Sequence, residues 1–269
     1  MAKKVNVIVL RTAGTNCDQE SAFAFKDCGA HVDLVHIQQL LKKAKSLKDY
    51  HILVLPGGFS YGDDISAGRI LANELRLKLG EDLKKFVGSK RLIIGICNGF
   101  QVLVKAGLLP GDLGKDFAKE KKTIQQVTLM TNDSGKFEDR WTFLKVSGRC
   151  AWTQGMEGVV YFPVAHGEGK FVCKTKRVLE SIQNQNRVIF RYCTQDGRKA
   201  VYPDNPNGSQ DDIAGITDET GHILGLMPHP ERHYLLTQHP FWTRLPKGDR
   251  LGDGAQIFQN GVNYIRKHF

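Results

Sequence analysis

Along the first half of the chain, short apolar runs alternate with stretches of helical periodicity. Val5 to Leu10 reads as a buried strand, and Asp18 to Cys28 as a helix that Gly29 stops. His31 to His36 alternates as a second strand, and Gln38 to Leu47 reads as helical. His51 to Leu55 is a third strand, closed by Pro56-Gly57-Gly58. Asn73 to Val87 predicts a long helix ended by Gly88. Arg91 to Ile96 is a fourth strand, and Asn98 to Ala106 a helix stopped by Gly107.

Continuous apolar strands separated by helices predict an α/β fold whose mostly parallel sheet has helices on both faces. The repeated strand-helix order, with right-handed crossovers, makes that sheet doubly wound. The second half is more strand-like: Thr123 to Met130, Thr142 to Val146, Val159 to Val164, Val188 to Tyr192, Ile213 to Thr217 and Ile223 to Met227. Asp204 to Asp212 is a tight polar loop, and a last helix runs from about Gly254 to His268. No repeat or low-complexity linker interrupts the pattern, so residues 1–269 read as one domain.

Composition narrows the function classes. With 41% hydrophobic residues in 269, the chain has enough apolar material for a large core. No run approaches the roughly 20 apolar residues of a membrane span, and no cleavage site follows the first strand. The expectation is a cytoplasmic protein with no membrane role. The six cysteines show neither CxxC pairs nor zinc-ligand spacing, so no disulfide framework and no metal site are expected. The formal charge of +10 raises nucleic-acid binding. However, the lysines come in short groups, such as Lys42-Lys43 and Lys84-Lys85, without interleaved aromatics. No nucleic-acid partner is therefore expected; an acidic protein partner or anionic substrates account for the charge.

Chemistry concentrates at Gly95-Ile96-Cys97-Asn98-Gly99-Phe100-Gln101. A buried strand ends there and a helix begins almost at once, which is the nucleophile-elbow arrangement with cysteine in place of serine. The helix N-terminus behind Cys97 favours a thiolate, and its free N–H groups can donate to an oxyanion. A thiol nucleophile needs a base and a group that orients the base. Met227-Pro228-His229-Pro230-Glu231 supplies both after another apolar strand. The prolines keep His229 out of a helix, and in extended chain the Glu231 carboxylate would point to the same side as the imidazole. Pro56-Gly57-Gly58 also follows a strand and offers unobstructed backbone N–H groups. His166-Gly-Glu-Gly is expected to be a turn near the site, while His31, His36 and His51 are expected to be structural.

These residues resemble the class I, or triad, glutamine amidotransferases, whose nucleophile motif is similar to Gly95 to Gln101 and whose His-x-Glu motif is similar to His229 to Glu231. More closely, the chain resembles the glutaminase subunits of phosphoribosylformylglycinamidine synthases of purine biosynthesis. That likeness rests on the runs Thr12 to Asp18, Pro56 to Asp64, Asn132 to Arg140 and His166 to Gly169. The stretches 115–122 and 174–210 are more elaborate than the compact bacterial pattern.

The resemblance implies a flavodoxin-like fold and a triad of Cys97, His229 and Glu231 acting on L-glutamine. It implies oxyanion donors near Gly57, Gly58 and Asn98, with Gln101 and Phe137 at the substrate. It further implies that ammonia passes to a separate synthetase subunit that uses ATP and Mg, and that this chain needs no cofactor of its own. Whether a small bridging subunit joins the complex stays open. A related Cys-His-Glu hydrolase of the same fold and a non-catalytic binding subunit are the alternatives.

Overall fold

Ile52–Leu55, Leu92–Ile96 and Ile223–Leu226 are buried at every position. Successive side chains of a strand point to opposite faces, so these strands are covered on both. They belong to the nine-stranded sheet of the computed structural model, which describes residues 4–63, 66–111, 125–246 and 250–269. The strands are β1 (Asn6–Arg11), β2 (His31–His36), β3 (Ile52–Leu55), β4 (Leu92–Ile96), β5 (Val127–Met130), β6 (Glu138–Val146), β7 (Val159–His166), β8 (Lys170–Cys173), β9 (Val188–Cys193), β10 (Ile213–Thr217) and β11 (Ile223–Leu226). The helices are α1 (Asp18–Asp27), α2 (Ile37–Leu41), α3 (Arg69–Gly88), α4 (Asn98–Ala106), α5 (Lys176–Asn184) and α6 (Ala255–His268).

The sheet order is β2-β1-β3-β4-β11-β10-β9-β6-β7, and β5 pairs separately with β8. From β2 to β11 all neighbours are parallel, as the strand-helix alternation predicts. From β10 to β7 all are antiparallel, an extension made by the strand-rich second half. Helices α1 and α6 pack together, as do α3 and α4. Phe25 of α1 and Phe258 of α6 meet edge to face at 5.1 Å, with Trp152 beside Phe25 at 6.4 Å. Among the described residues no helix is long and apolar enough to cross a membrane.

Several elements differ from their predicted bounds. The helix expected over 38–47 is only α2, because Lys43 turns to φ 59° and the next residue to bury fully is Leu47, in a separate short turn. Helix α3 begins at Arg69, before the expected Asn73, because Leu71 and Ala72 continue the buried stripe of Leu75, Leu79 and Leu83. Strands β6 and β7 are longer than expected: they pair from Glu138 opposite His166 to Lys145 opposite Val159. β8 and α5 carry no predicted counterpart. The lysine-rich stretch 115–122 and the start of the strand expected from 123 lie outside the described residues.

The junction of β3, β4 and α4 is the tightest packing near the sheet's carboxyl edge. A Cβ on Gly99 would stand 1.8 Å from the Leu55 carbonyl oxygen, and one on Gly95 would stand 2.6 Å from the Gly99 carbonyl oxygen. Both contacts are with backbone, which cannot swing aside. Gly99→Ala is therefore expected to destabilise the protein by about 3 kcal/mol, the upper end of overpacking costs. Gly88→Ala, where nothing lies within 4 Å of the new carbon, should instead be neutral or stabilising by up to about 1 kcal/mol. Urea midpoints of the two variants make the comparison.

Candidate active site

Cys97 stands between β4 and α4 with φ 52° and ψ −106°. A residue with a side chain rarely adopts this conformation. The turn is tied at both ends: the Cys97 N–H donates to the Leu226 carbonyl at 2.8 Å, and its own carbonyl accepts from Phe100 at 3.0 Å and Gln101 at 3.2 Å. The thiol is thereby lifted off the sheet edge, 3.6 Å from the Ala165 carbonyl. Asn98 opens α4, so its N–H belongs to a first turn that has no acceptor within the helix.

Strand β11 lies parallel to β4 with Leu226 opposite Ile96, so the segment after β11 emerges beside Cys97. His229 is fixed there by its N–H, which donates to the Pro163 carbonyl of β7 at 2.8 Å. Its Nδ1 meets Glu231 Oε1 at 2.6 Å. The chain achieves this differently from the extended geometry expected of it. Pro230–His233 forms a 3-10 turn, because proline's fixed φ suits the first helical position, and the turn folds the carboxylate back to the Nδ1 edge of the ring. Gly57 makes room for the meeting: a Cβ there would lie 2.8 Å from His229 Cε1 and 3.5 Å from Cys97 Cβ.

His229 and Glu231 are 2% and 1% exposed, so their charges are not screened by water. Burial alone would push the imidazole pKa down. The Glu231 carboxylate, and after it Cys97, outweigh that effect and hold it well above the ordinary histidine value. With Nδ1 committed to Glu231, the buried Nε2, which has no hydrogen-bond partner among the described residues, is the nitrogen left to exchange a proton. His166 is the converse case. It is buried near the positive His229, and burial first and that charge second push its pKa down to about 3. Its Nδ1 meets Asn132 Oδ1 at 3.1 Å and its Nε2 meets Asn207 Nδ2 at 3.4 Å.

The loop after β3 forms another wall. The Gly57 carbonyl accepts from Asn16 at 3.3 Å and Cys17 at 3.2 Å, and Phe59 N–H donates to Gly14 at 2.8 Å. Gly58 has φ 140°, and a Cβ on it would fall 2.6 Å from the Gly14 carbonyl oxygen. The Asn98 side chain tethers this loop to α4. Its Oδ1 accepts from Ser60 N–H at 3.2 Å, while its Nδ2 donates to Asp63 at 3.1 Å and to Gln101 Oε1 at 2.9 Å. Gln101 Nε2 donates to the Glu168 carbonyl at 2.6 Å, which leaves its second amide proton available.

A cleft of about 210 Å³ lies between Gly58, Cys97, Gln101, Phe137, His166 and Glu168. It is smaller than the roughly 300 Å³ at which drug-sized pockets begin, so it suits a compact substrate. Phe137 and Phe59, half exposed, pair at 6.3 Å beside it. A larger cavity of about 590 Å³ lies around Arg149, Asp218 and His222, at the start of β11 and so at the opposite end of the strands from Cys97. The residues named from the motifs thus converge in one place, and the His166 turn lies beside them as expected. His51 and His36 are structural, accepting backbone N–H groups of Asn6 and Gln38. Sequence reasoning missed the contact of Cys17 Sγ with His229 Nδ1 at 3.9 Å and the supporting Asn207; Asn132 lay in the singled-out run 132–140, but its contact with His166 was not foreseen. The signal for Cys17 was its place in the Thr12 to Asp18 run; Asn207 sits in a loop that looked merely polar.

Residues 4–265 match the family model described as CobB/CobQ-like glutamine amidotransferase domain. The phosphoribosylformylglycinamidine synthase subunit PurQ of Dehalococcoides mccartyi is 49% identical over 267 residues, covering 98% of this chain and 99% of that one. The subunit of the same name from Methanococcus maripaludis is 40% identical, covering 97% of each. A solved structure of PurLQS from Thermotoga maritima superposes with a TM-score of 0.72 at 30% identity, over 98% of this chain and 100% of that one. The chain belongs to the PurQ family of glutamine amidotransferases.

In this PurQ-family chain the state of His229 depends on one carboxylate. Because folding raises the imidazole pKa, the pair's contribution to stability is full below the ordinary histidine value and fades as pH rises through the folded one. In Glu231→Gln the His229 titration, followed by nitrogen-15 NMR, is expected to move down in pH. That fading is expected to move down with it in denaturation curves. His166 should stay neutral at pH 5 in both forms.

Proposed function

We propose that this chain is the glutaminase subunit of a phosphoribosylformylglycinamidine synthase, with Cys97 as nucleophile, His229 as acid-base and Glu231 as its orienting carboxylate. The observation that carries the reading is the buried His229–Glu231 pair brought to the Cys97 elbow by adjacent parallel strands. Family membership supplies the reaction class.

In this mechanism Cys97 Sγ attacks the side-chain amide carbon of L-glutamine. The carbonyl oxygen becomes an oxyanion, which backbone N–H groups at Gly58 and Asn98 receive. The imidazolium of His229 gives its Nε2 proton to the departing amine, so ammonia leaves and a γ-glutamyl thioester remains. Neutral imidazole then takes a proton from water, which attacks the thioester and frees glutamate. Glu231 keeps the ring in the tautomer that serves both steps. Gln101 uses its spare amide proton on the substrate, and Phe137 covers the mouth of the cleft.

None of these steps calls for a cofactor in this chain. The ATP and Mg belong to the synthetase subunit, which receives the ammonia and forms formylglycinamidine ribonucleotide. Support for a dependent subunit comes from the sequence, which has no Gly-x-x-x-x-Gly-Lys-Ser/Thr phosphate loop. We also place the chain in the cytoplasm, a reading that six free cysteines support.

Cys97→Ala should abolish glutamine-dependent synthesis in the assembled complex, with a loss of at least about 10³-fold, and leave ammonia-dependent synthesis intact. Loss of both would assign the cysteine a structural role instead. Peptide mass mapping after treatment with a glutamine-mimicking diazo-ketone should place the adduct on Cys97. The isolated chain should turn over glutamine more slowly than the complex; equal rates would argue against control by the synthetase.

A further inference from the structure

A second thiol lies against the inner side of the triad. Cys17 directly precedes α1, is 1% exposed, and its Sγ stands 3.9 Å from His229 Nδ1. The ligand atoms offered by Cys17, His229 and Glu231 all lie within 4.8 Å of one another. Glu231 Oε2 is buried and has no hydrogen-bond partner among the described residues. An unsatisfied buried carboxylate oxygen beside a thiol and an imidazole is a donor set in want of a cation.

We propose that Cys17, His229 and Glu231 form a binding site for a thiophilic divalent cation of the Zn²⁺ type, and that its occupation shuts off the Cys97 centre. A tetrahedral zinc has bonds of about 2.3 Å to sulfur and about 2.0 Å to nitrogen and oxygen, which sets ligand atoms roughly 3.3–3.6 Å apart. From the observed 3.9 Å between Sγ and Nδ1, and 2.6 Å between Nδ1 and Oε1, each pair reaches that spacing by moving less than about 1 Å. Cys17 thiolate and Glu231 carboxylate together balance a dication, so the buried site stays neutral. The thiol proton and the Nδ1 proton leave to solvent.

The present contacts of Cys17 are compatible with this. Its thiol donates to Asn16 Oδ1 at 3.1 Å, and it accepts from Arg232 Nη2 at 3.1 Å. A metal-bound thiolate still accepts such an N–H, and Arg232 is also held by Glu20 at 3.3 Å. The thiolate disfavours Mg²⁺, a hard cation that takes oxygen ligands.

The effect on catalysis follows from which nitrogen is taken, and it rests on the function proposed above. A cation on Nδ1 separates the ring from Glu231 and keeps the remaining proton on Nε2. The imidazole then has no lone pair with which to accept a proton from water. The cleft is lined by Cys97 and Gln101 but by none of Cys17, His229 and Glu231, so the cation would sit outside the space that glutamine fills. Inhibition should lower kcat without raising KM for glutamine.

The full chain is titrated with Co²⁺, whose thiolate charge-transfer band in the near ultraviolet reports a Co–S bond. One equivalent should produce the band in the wild type and in Cys97→Ala, and Cys17→Ser should lose it. Zn²⁺ should displace the Co²⁺, with affinity at least about tenfold weaker in Glu231→Gln. In the assembled complex, micromolar Zn²⁺ should lower kcat reversibly, each variant being read against its own metal-free rate. A band that disappears in Cys97→Ala, no band at all, or a rise in KM would overturn the proposal. Should Cys17 variants fail to fold, alkylation of Cys17 in Cys97→Ala, mapped by peptide mass, decides the matter: Zn²⁺ should protect the thiol, and unchanged labelling would overturn the site. Absence of glutaminase activity in the metal-free wild type would refute the proposed function and leave the cobalt band to test the site by itself.

Discussion

The site depends on one backbone conformation. Cys97 is held at φ 52° and ψ −106°, at a cost of about 1–3 kcal/mol for a residue with a side chain. The hydrogen bonds to Leu226, Phe100 and Gln101 over-determine it, and the glycines at 95 and 99 let β4 and α4 close around it. A relaxed turn would lay the thiol along the sheet edge. The strained one raises it between the loop after β3 and the segment after β11, where the other groups can reach it.

Around that point the protein uses burial in two opposite senses. His229 and His166 are both removed from water, yet their pKa values are driven in opposite directions. Glu231 sits against the first and raises its pKa against the pull of burial. The second has only amides as partners, so burial keeps it neutral and it serves as an anchor for Asn132 and Asn207. One ring is poised beside a carboxylate, while the other fixes the wall opposite.

Much of this was legible in the chain because it rests on local rules. Apolar runs ended by Pro-Gly-Gly or Cys-Asn-Gly marked where strands of the parallel half stop, and ligands of such sheets gather at those ends. The meeting place of Cys97, His229 and Glu231 followed from that placement. What escaped were features set by long-range packing. The orientation of Glu231 depends on a 3-10 turn, which a two-residue spacing does not distinguish from extended chain. Asn98 was legible as a backbone donor, but its side-chain tether to Ser60, Asp63 and Gln101 exists only once α4 docks on the loop. Cys17 stood in a run that carried the family likeness, but its contact with His229 exists only once β1 and β3 are neighbours.

The placement of β11 directly beside β4 has a consequence for biosynthesis of the chain itself. Domains form from the N-terminus as the ribosome releases them, and β1 to β4 could pair while the distal third was still unmade. A nascent polypeptide at that stage would expose the reactive sulfur without its imidazole. Only when residue 229 has emerged and β11 has inserted between β4 and β10 is the proposed catalytic group complete. On the proposed mechanism, unfinished chains are thereby inert towards the cell's amino-acid pool.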